Sequence, residues 1–314
     1  MADNYIFLKN FLNRILNESM FPATNRITLI CILIGILAIT YIILLIIPKR
    51  GKCCLGFALY FVILSFVFSQ YVPEVRKYDL DMGIDEPVKI VQLSDLHCNT
   101  TFSYSIYDAI NKCNKEKPDI VVITGDFKTD INGNDLTEET FRYLKKIRCN
   151  RIYAVLGNHD NFKNKKKMIR SFADSGVKII DEKKIKVRDD FYILGAAYDG
   201  VTGHKIEKAL KQLPADSKAV ILTHNPASVL LKYYDTKYMK KRDVLFLTGH
   251  THGGQVLFPW SDRKKIAQTH FFIDFLDGMT ETEGNRLYIS KGIGTTYFPI
   301  RMNSKPEIAV FNIR

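Results

Sequence analysis

Five of the seven histidines in this 314-residue chain stand inside short motifs that also carry carboxylates, amides and glycines. The motifs are Ser94-Asp95-Leu96-His97, Gly125-Asp126, Gly157-Asn158-His159-Asp160, Thr223-His224-Asn225 and Gly249-His250-Thr251-His252, and each closes a β-like run. Nitrogen and oxygen donors repeated at strand ends, where loops gather distant segments, can supply ligands for two metal ions. Asp95 and His97 are spaced to turn toward one ion. Gly125 allows a sharp exit from its strand, and Asp126 can bridge two cations. Asn158 offers an amide oxygen, with His159 beside it facing a substrate. His224 adds a nitrogen, and His250 and His252 leave opposite sides of an extended turn, so each can reach a different ion. Any one of these motifs is a weak signal, since a lone Asp-x-His is most often a surface loop. The whole set in one chain is a strong one.

These residues need elements to carry them. Strand-like runs are Val88–Leu93, Ile120–Thr124, Ile152–Leu156, Phe191–Leu194, Ala219–Thr223, Val244–Thr248, Leu287–Ser290 and Glu307–Ile313. Most are continuously apolar and rich in Val and Ile, as strands covered on both faces are. Helical stretches fall between them. Ser103–Lys117 stops at Pro118. Leu136–Ile147 follows Asp135 as N-cap with Glu138 at the capping-box position. Phe162–Ser175 is closed by Gly176, and Lys205–Leu213 ends at Pro214. The alternation predicts an α/β sandwich of two β-sheets flanked by helices over residues 87–314.

Ahead of that domain the composition changes. Residues 27–47 carry no charge, and a second apolar run covers 55–72. A helix of about 20 such residues matches a hydrocarbon core of roughly 30 Å, so the expectation is a hairpin of two transmembrane helices. Lys49, Arg50 and Lys52 lie between the runs, with Lys9, Arg14, Arg26, Arg76 and Lys77 outside them, which leaves the sidedness of the domain open. Residues 1–26 have near-helical apolar spacing that suits an interfacial helix. Residues 73–86, with Glu74, Asp79, Asp81, Asp85 and Glu86, read as an acidic linker. The localisation expected on these grounds is a multi-pass membrane protein.

The net charge is +12; the first 72 residues hold six basic and two acidic residues, so +8 remains for the rest. Lysine clusters at 163–167, 183–184 and 240–242 suit anionic lipid or an anionic substrate as well as a solvated surface. Nucleic acid is not an expected partner, because no aromatic-interleaved basic module accompanies the charge. No protein partner is identifiable. Six cysteines without regular spacing suggest no disulfide framework.

The order Asp-x-His, Gly-Asp, Gly-Asn-His-Asp, His, Gly-His-x-His resembles that of the calcineurin-like metallophosphoesterases, from about residue 87 to the C-terminus. The resemblance implies a four-layer-type sandwich holding two divalent metal ions, Mn²⁺, Fe or Zn²⁺. It implies Asp95, His97, Asp126 and His252 as ligands of one ion, and Asp126, Asn158, His224 and His250 as ligands of the other. His159 would then meet the phosphoryl group or the leaving oxygen, and Asp160 would orient His159. Two such cations clamp phosphate oxygens and lower the pKa of a bridging water for in-line attack. The pattern Gly253-Gly254-Gln255, Leu287 to Thr295, Pro299-Ile300-Arg301 and Pro306-Glu307-Ile308 is similar to a membrane-anchored bacterial branch. That branch includes relatives of enzymes cleaving the pyrophosphate of UDP-2,3-diacylglucosamine. Lys291 and Arg301 could meet a phosphate there.

The reading that follows is a membrane-tethered dimetal phosphohydrolase acting on a phosphate ester or pyrophosphate of a lipid or lipid-linked nucleotide. A broad-specificity phosphomonoesterase or phosphodiesterase of the cell envelope is the enzymatic alternative. A non-catalytic membrane protein using a phosphatase-like domain as a binding module is the alternative of another class.

Overall fold

Val- and Ile-rich strands alternating with amphipathic helices build two six-stranded mixed sheets in the computed structural model. It describes residues 34, 35, 38, 41, 42, 56, 59, 60, 63, 70–98, 103–128, 138–160, 165–198, 204–214, 217–230, 243–282, 285–296 and 300–314. The chain divides into two compact units, Met1–Tyr71 and Val72–Arg314, and both sheets belong to the second.

The first sheet has the order β1 (Glu74–Leu80), β12 (Glu307–Ile313), β2 (Val88–Leu93), β3 (Ile120–Thr124), β4 (Ile152–Val155) and β5 (Val177–Ile179). Strands β2 to β5 run parallel, β12 is antiparallel to β2, and β1 is parallel to β12. In the second the order is β10 (Gly278–Thr282), β11 (Asn285–Ile289), β9 (Val244–Thr248), β8 (Lys218–Leu222), β7 (Phe191–Gly195) and β6 (Lys184–Lys186). There β7, β8, β9 and β11 are parallel, with antiparallel β10 and β6 at the edges.

Strand periodicity explains the layers, because successive side chains point to opposite faces. In β3, Ile120 and Val122 enter the layer between the sheets, while Val121 and Ile123 face the helices. In β9, Leu245 and Leu247 face inward, and Val244 and Phe246 outward. Helix α1 (Ser103–Glu116) covers the outer face of the first sheet with Ile106, Ala109, Ile110 and Cys113. Helix α4 (His204–Lys211) covers the second with Ile206, Ala209 and Leu210. Both sets have the i, i+3, i+4 spacing of an apolar stripe. Helices α2 (Glu138–Leu144) and α3 (Lys165–Asp174) end before the expected Ile147 and Ser175, the starts of their expected spans lying outside the described residues, and a short α5 (Ala227–Leu230) follows β8.

Two expectations about the N-terminal region are corrected. Crossing a bilayer takes about 20 residues of continuous apolar helix, and among the described residues no helix is long and apolar enough. Within the expected spans 27–47 and 55–72, only nine positions and residues 70–72 are described, none forming such a helix. The remainder of the spans, and all of 1–26, lie outside the described residues. The multi-pass assignment therefore falls.

The expected linker 73–86 holds β1, an edge strand whose charges mask its pairing. Val75 packs with the helix-side core, and Tyr78 and Leu80 join the layer between the sheets. The Tyr78 ring stacks on Phe311 at 5.5 Å and meets Tyr288 of the other sheet edge-on at 5.2 Å. Arg76 Nε lies 3.1 Å from the buried carboxylate of Glu307. Its alternating charge is what a sheet edge tolerates.

A chain starting at Val72 is expected to unfold cooperatively in urea. One starting at Pro87, without β1, is expected to lose about 3 kcal/mol from the half-buried Tyr78 and the buried Leu80 side chains. Equal urea midpoints for the two chains would show that β1 adds nothing.

Candidate metal centre

Parallel strands send their C-terminal ends the same way, and five of them end here. Strands β2, β3 and β4 of the first sheet deliver Asp95 and His97, Asp126, and Asn158 and His159. From the second sheet, β8 and β9 deliver His224, and His250 and His252. The loops zip together through backbone bonds: Asp95 N–H donates to Gly125 O at 3.1 Å, His97 N–H to Asp126 O at 3.0 Å, and Gly249 N–H to His224 O at 3.0 Å. Asp95, His97, Asp126, His250 and His252 all have left-handed φ, between 41° and 74°. For residues with a Cβ this costs of order 1–3 kcal/mol each and marks sites where function dictates conformation.

Two clusters result: Asp95, His97 and His252, and Asp126, His224 and His250. The Nε2 atoms of His97 and His252 stand 3.1 Å apart, and His252 Nε2 is 3.5 Å from Asp95 Oδ1. His224 Nε2 is 3.2 Å from Asp126 Oδ2, 2.9 Å from Asn158 Oδ1 and 3.2 Å from His250 Nδ1. Asp126 Oδ2 also lies 3.5 Å from His97 Nε2, so one carboxylate oxygen stands between the clusters. The Nδ1–H of His224 donates to Thr124 O at 2.8 Å, which aims its Nε2 at three lone-pair donors. Such convergence calls for a cation, and the residues fit a pair of divalent ions with nitrogen and oxygen ligands.

Burial and charge act together on these groups. Burial, reinforced by the neighbouring rings, drives His97 and His250 down to about 3 and His252 well below its ordinary value. His224 goes the other way: burial lowers it, but the Asp126 carboxylate overrides burial and lifts it to about 10. Burial would raise Asp126, yet the charge of His224, with His97 and His159 behind it, holds it well below the carboxylate range. Without metal, the pair of Asp126 and His224 thus favours a protonated His224.

The profile of the family described as calcineurin-like phosphoesterase matches residues 88–254, which hold every ligand candidate. The chain belongs to that family. It is 27% identical over 241 residues to the metallophosphoesterase YkuE of Bacillus subtilis, covering 72% of this chain and 79% of that one. It is 30% identical to the metallophosphoesterase Cj0846 of Campylobacter jejuni, covering 77% of this chain and 63% of that longer one. A solved dimetal phosphatase from Danio rerio is similar at 14% identity and a TM-score of 0.40, over 66% of this chain and 88% of that one. Calcineurin-like phosphoesterases use two divalent metals, in keeping with the two clusters here.

Three sequence-predicted site residues take other places. Asp160 does not bond the His159 ring; its carboxylate accepts from the N–H groups of Asp126 (2.8 Å), Phe127 (2.9 Å) and Gly157 (2.9 Å), locking two loops together. Arg301 is buried and donates to Gly294 O, Lys291 O and Ser304 O, with Nη2 3.2 Å from His252 Nδ1. It therefore supports His252 from behind, away from the cluster. Lys291 is also buried, and its ammonium lies 3.7 Å from Glu307 and 4.0 Å from Asp277. His159 is half-buried, its N–H bonded to Asp126 Oδ1 at 2.9 Å and its ring 5.2 Å from that of His97.

Sequence reasoning missed a buried polar relay beneath the first cluster. Gln92 Nε2 donates to Thr124 Oγ1 (2.8 Å) and, across the two sheets, to Thr248 O (2.9 Å). Thr124 Oγ1 donates to Ser94 Oγ (2.7 Å), which donates to Asp95 Oδ2 (2.5 Å). Its one signal was a glutamine inside an otherwise apolar strand end, Val91-Gln92-Leu93.

Close approach explains two glycines. A Cβ on Gly157 would overlap Asp126 Oδ1, and one on Gly249 would overlap Asp95 Oδ2 and Ser94 Oγ. Gly157→Ala is expected to cost about 1–3 kcal/mol and to lower bound metal below two ions per chain, read by elemental analysis. Two ions retained would show that the loops can yield. Because His224 must surrender its proton to a metal, titrating Mn²⁺ into the metal-free protein at pH 8 is expected to release about one proton. Calorimetry in buffers of different ionisation enthalpy reads this. Metal affinity is expected to rise with pH through that range, and zero release would place a neutral His224 in the free site.

Proposed function

We propose that this metal-dependent phosphoesterase hydrolyses a phosphate ester or pyrophosphate, by attack of water, in a lipid or lipid-linked nucleotide such as UDP-2,3-diacylglucosamine. The observation that carries the hydrolytic reading is the position of Asp126 Oδ2, within 3.5 Å of both His97 and His224. Asp95, His97, Asp126 and His252 would hold one divalent ion, and Asp126, Asn158, His224 and His250 the other; Mn²⁺, Fe and Zn²⁺ all suit this set. When bound, the ions supply Lewis-acid polarisation of the phosphoryl oxygens and lower the pKa of attacking water.

The chain's own groups do the rest. Asp126 joins the two ligand sets, so that their spacing is held by a single buried side chain. His159, tied by its backbone to Asp126 and only half-buried, is the group that would face substrate. Its imidazole would donate a hydrogen bond to the phosphoryl oxygen or a proton to the departing oxygen. Arg301 lies behind His252, where its charge adds to burial and to His97 in keeping that ring uncharged. The lipid part of the proposal draws support from the resemblance of the C-terminal segment, Gly249 to Ile308, to the diacylglucosamine branch.

Two variants separate these roles. Asp126→Asn is expected to abolish turnover of a chromogenic phosphodiester and to lose metal. His159→Ala is expected to keep two ions while turnover falls by roughly 10²–10⁴-fold. Metal loss in His159→Ala would make that residue a ligand, and turnover insensitive to a chelator would overturn the hydrolytic reading. A lipid-extract screen comparing wild type with Asp126→Asn tests the substrate class.

A further inference from the structure

The two clusters differ in how they meet solvent. Asp95, His97 and His252 are all buried, whereas on the second side His250, Asn158 and His159 are half-buried. Among the described residues the second cluster is thus the more open to solvent. Two aromatic side chains stand there. The Tyr198 ring lies 6.1 Å from His224 in an edge-to-face arrangement, and the Phe271 ring lies 5.8 Å from His250 in the same relation.

Tyr198 belongs to no core cluster, whereas Phe271 is half-buried, with part of its ring against the outer core of the second sheet and an edge-to-face contact with His250. Tyr198 is 38% exposed and sits three residues beyond β7, whose C-terminal end lies beside those of β8 and β9. Phe271 closes a π-helical turn, Ala267–Phe271, that follows α6 (Arg263–Ile266). Such turns recur at functional sites. The next residue, Phe272, is 64% exposed and held at a left-handed φ of 59°, an unusual state for a bulky side chain. The excursion is tied back to the metal loop, since Thr251 Oγ1 donates to Leu276 O at 2.5 Å. The strained turn thus delivers Phe271 to a ligand histidine.

We propose that Tyr198 and Phe271 form a subsite for a planar ring, aryl or heteroaryl, on the substrate's leaving side. This deepens the phosphoester reading above and rests on it. Aromatic faces favour offset or edge-on contact with another π-system beyond what apolar area alone supplies. An aliphatic group of equal volume would gain the area and lack the quadrupole term, so ring-bearing esters are selected. Both residues act on specificity and touch no reacting atom.

The test is equilibrium binding to the Mn²⁺-loaded protein of three non-hydrolysable phosphonates: phenyl, cyclohexyl and methyl. Phenylphosphonate is expected to bind about threefold to tenfold more tightly than cyclohexylphosphonate. Tyr198→Ala, and separately Phe271→Leu, which keeps apolar volume, are expected to remove that preference. Methylphosphonate affinity and the content of two ions per chain should not change. Equal binding of the two rings by wild type, or a preference that survives both variants, would overturn the proposal; so would loss of methylphosphonate affinity along with it. Wild type binding none of the three would instead sink the phosphoester reading, and this proposal with it.

Discussion

A buried carboxylate shared by two histidines is the interaction around which the rest of this molecule is arranged. Asp126 sits almost fully out of water, where an unpaired negative charge would be untenable. It survives because His97 and His224 converge on one of its oxygens. One of these rings comes from the first sheet and the other from the second. The two sheets must therefore meet with their parallel strand ends in register, or the charge has no partner. The layer between them, from Ile90 and Val122 through Leu245 to Phe311, supplies the rigid spacing.

The local backbone is shaped to the same end. Five ligand candidates adopt left-handed conformations, which a chain free to relax would avoid. Compensation comes from hydrogen bonds that over-determine the loops. Asp160 gathers N–H groups from the second and third motifs, the Gln92–Thr124–Ser94 relay fixes Asp95, and Arg301 clamps the loops around His252. These bonds among buried polar groups restrain the loops, although Gln92 Oε1 has no hydrogen-bond partner among the described residues. The strain at the ligands and the polar scaffold behind them are two halves of one arrangement.

Electrostatics completes it. In the metal-free protein the Asp126 carboxylate raises His224 and His224 lowers Asp126, so this pair favours imidazolium beside carboxylate. The first cluster has no such imidazolium, since burial keeps His97 and His252 neutral. The two sites are therefore chemically unequal, although their donor sets look alike.

Much of this was legible in the sequence. The runs at Val88–Leu93, Ile120–Thr124, Val244–Thr248 and Glu307–Ile313 coincide with strands, because central strands covered on both faces are apolar on both. The residues that cluster stand in motifs set by local spacing. Edge strand β1 was hidden by its own charges, since its order comes from pairing with β12, more than 200 residues away. The roles of Asp160, Lys291 and Arg301 were hidden for a related reason. Whether a carboxylate or guanidinium meets substrate or backbone depends on which donors and acceptors surround it, and those arrive from distant segments. Residue type and spacing determined which chemistry was available. Only the packing of one sheet on the other decided which nitrogen faces which oxygen, because burial and hydrogen-bond satisfaction belong to the assembled molecule.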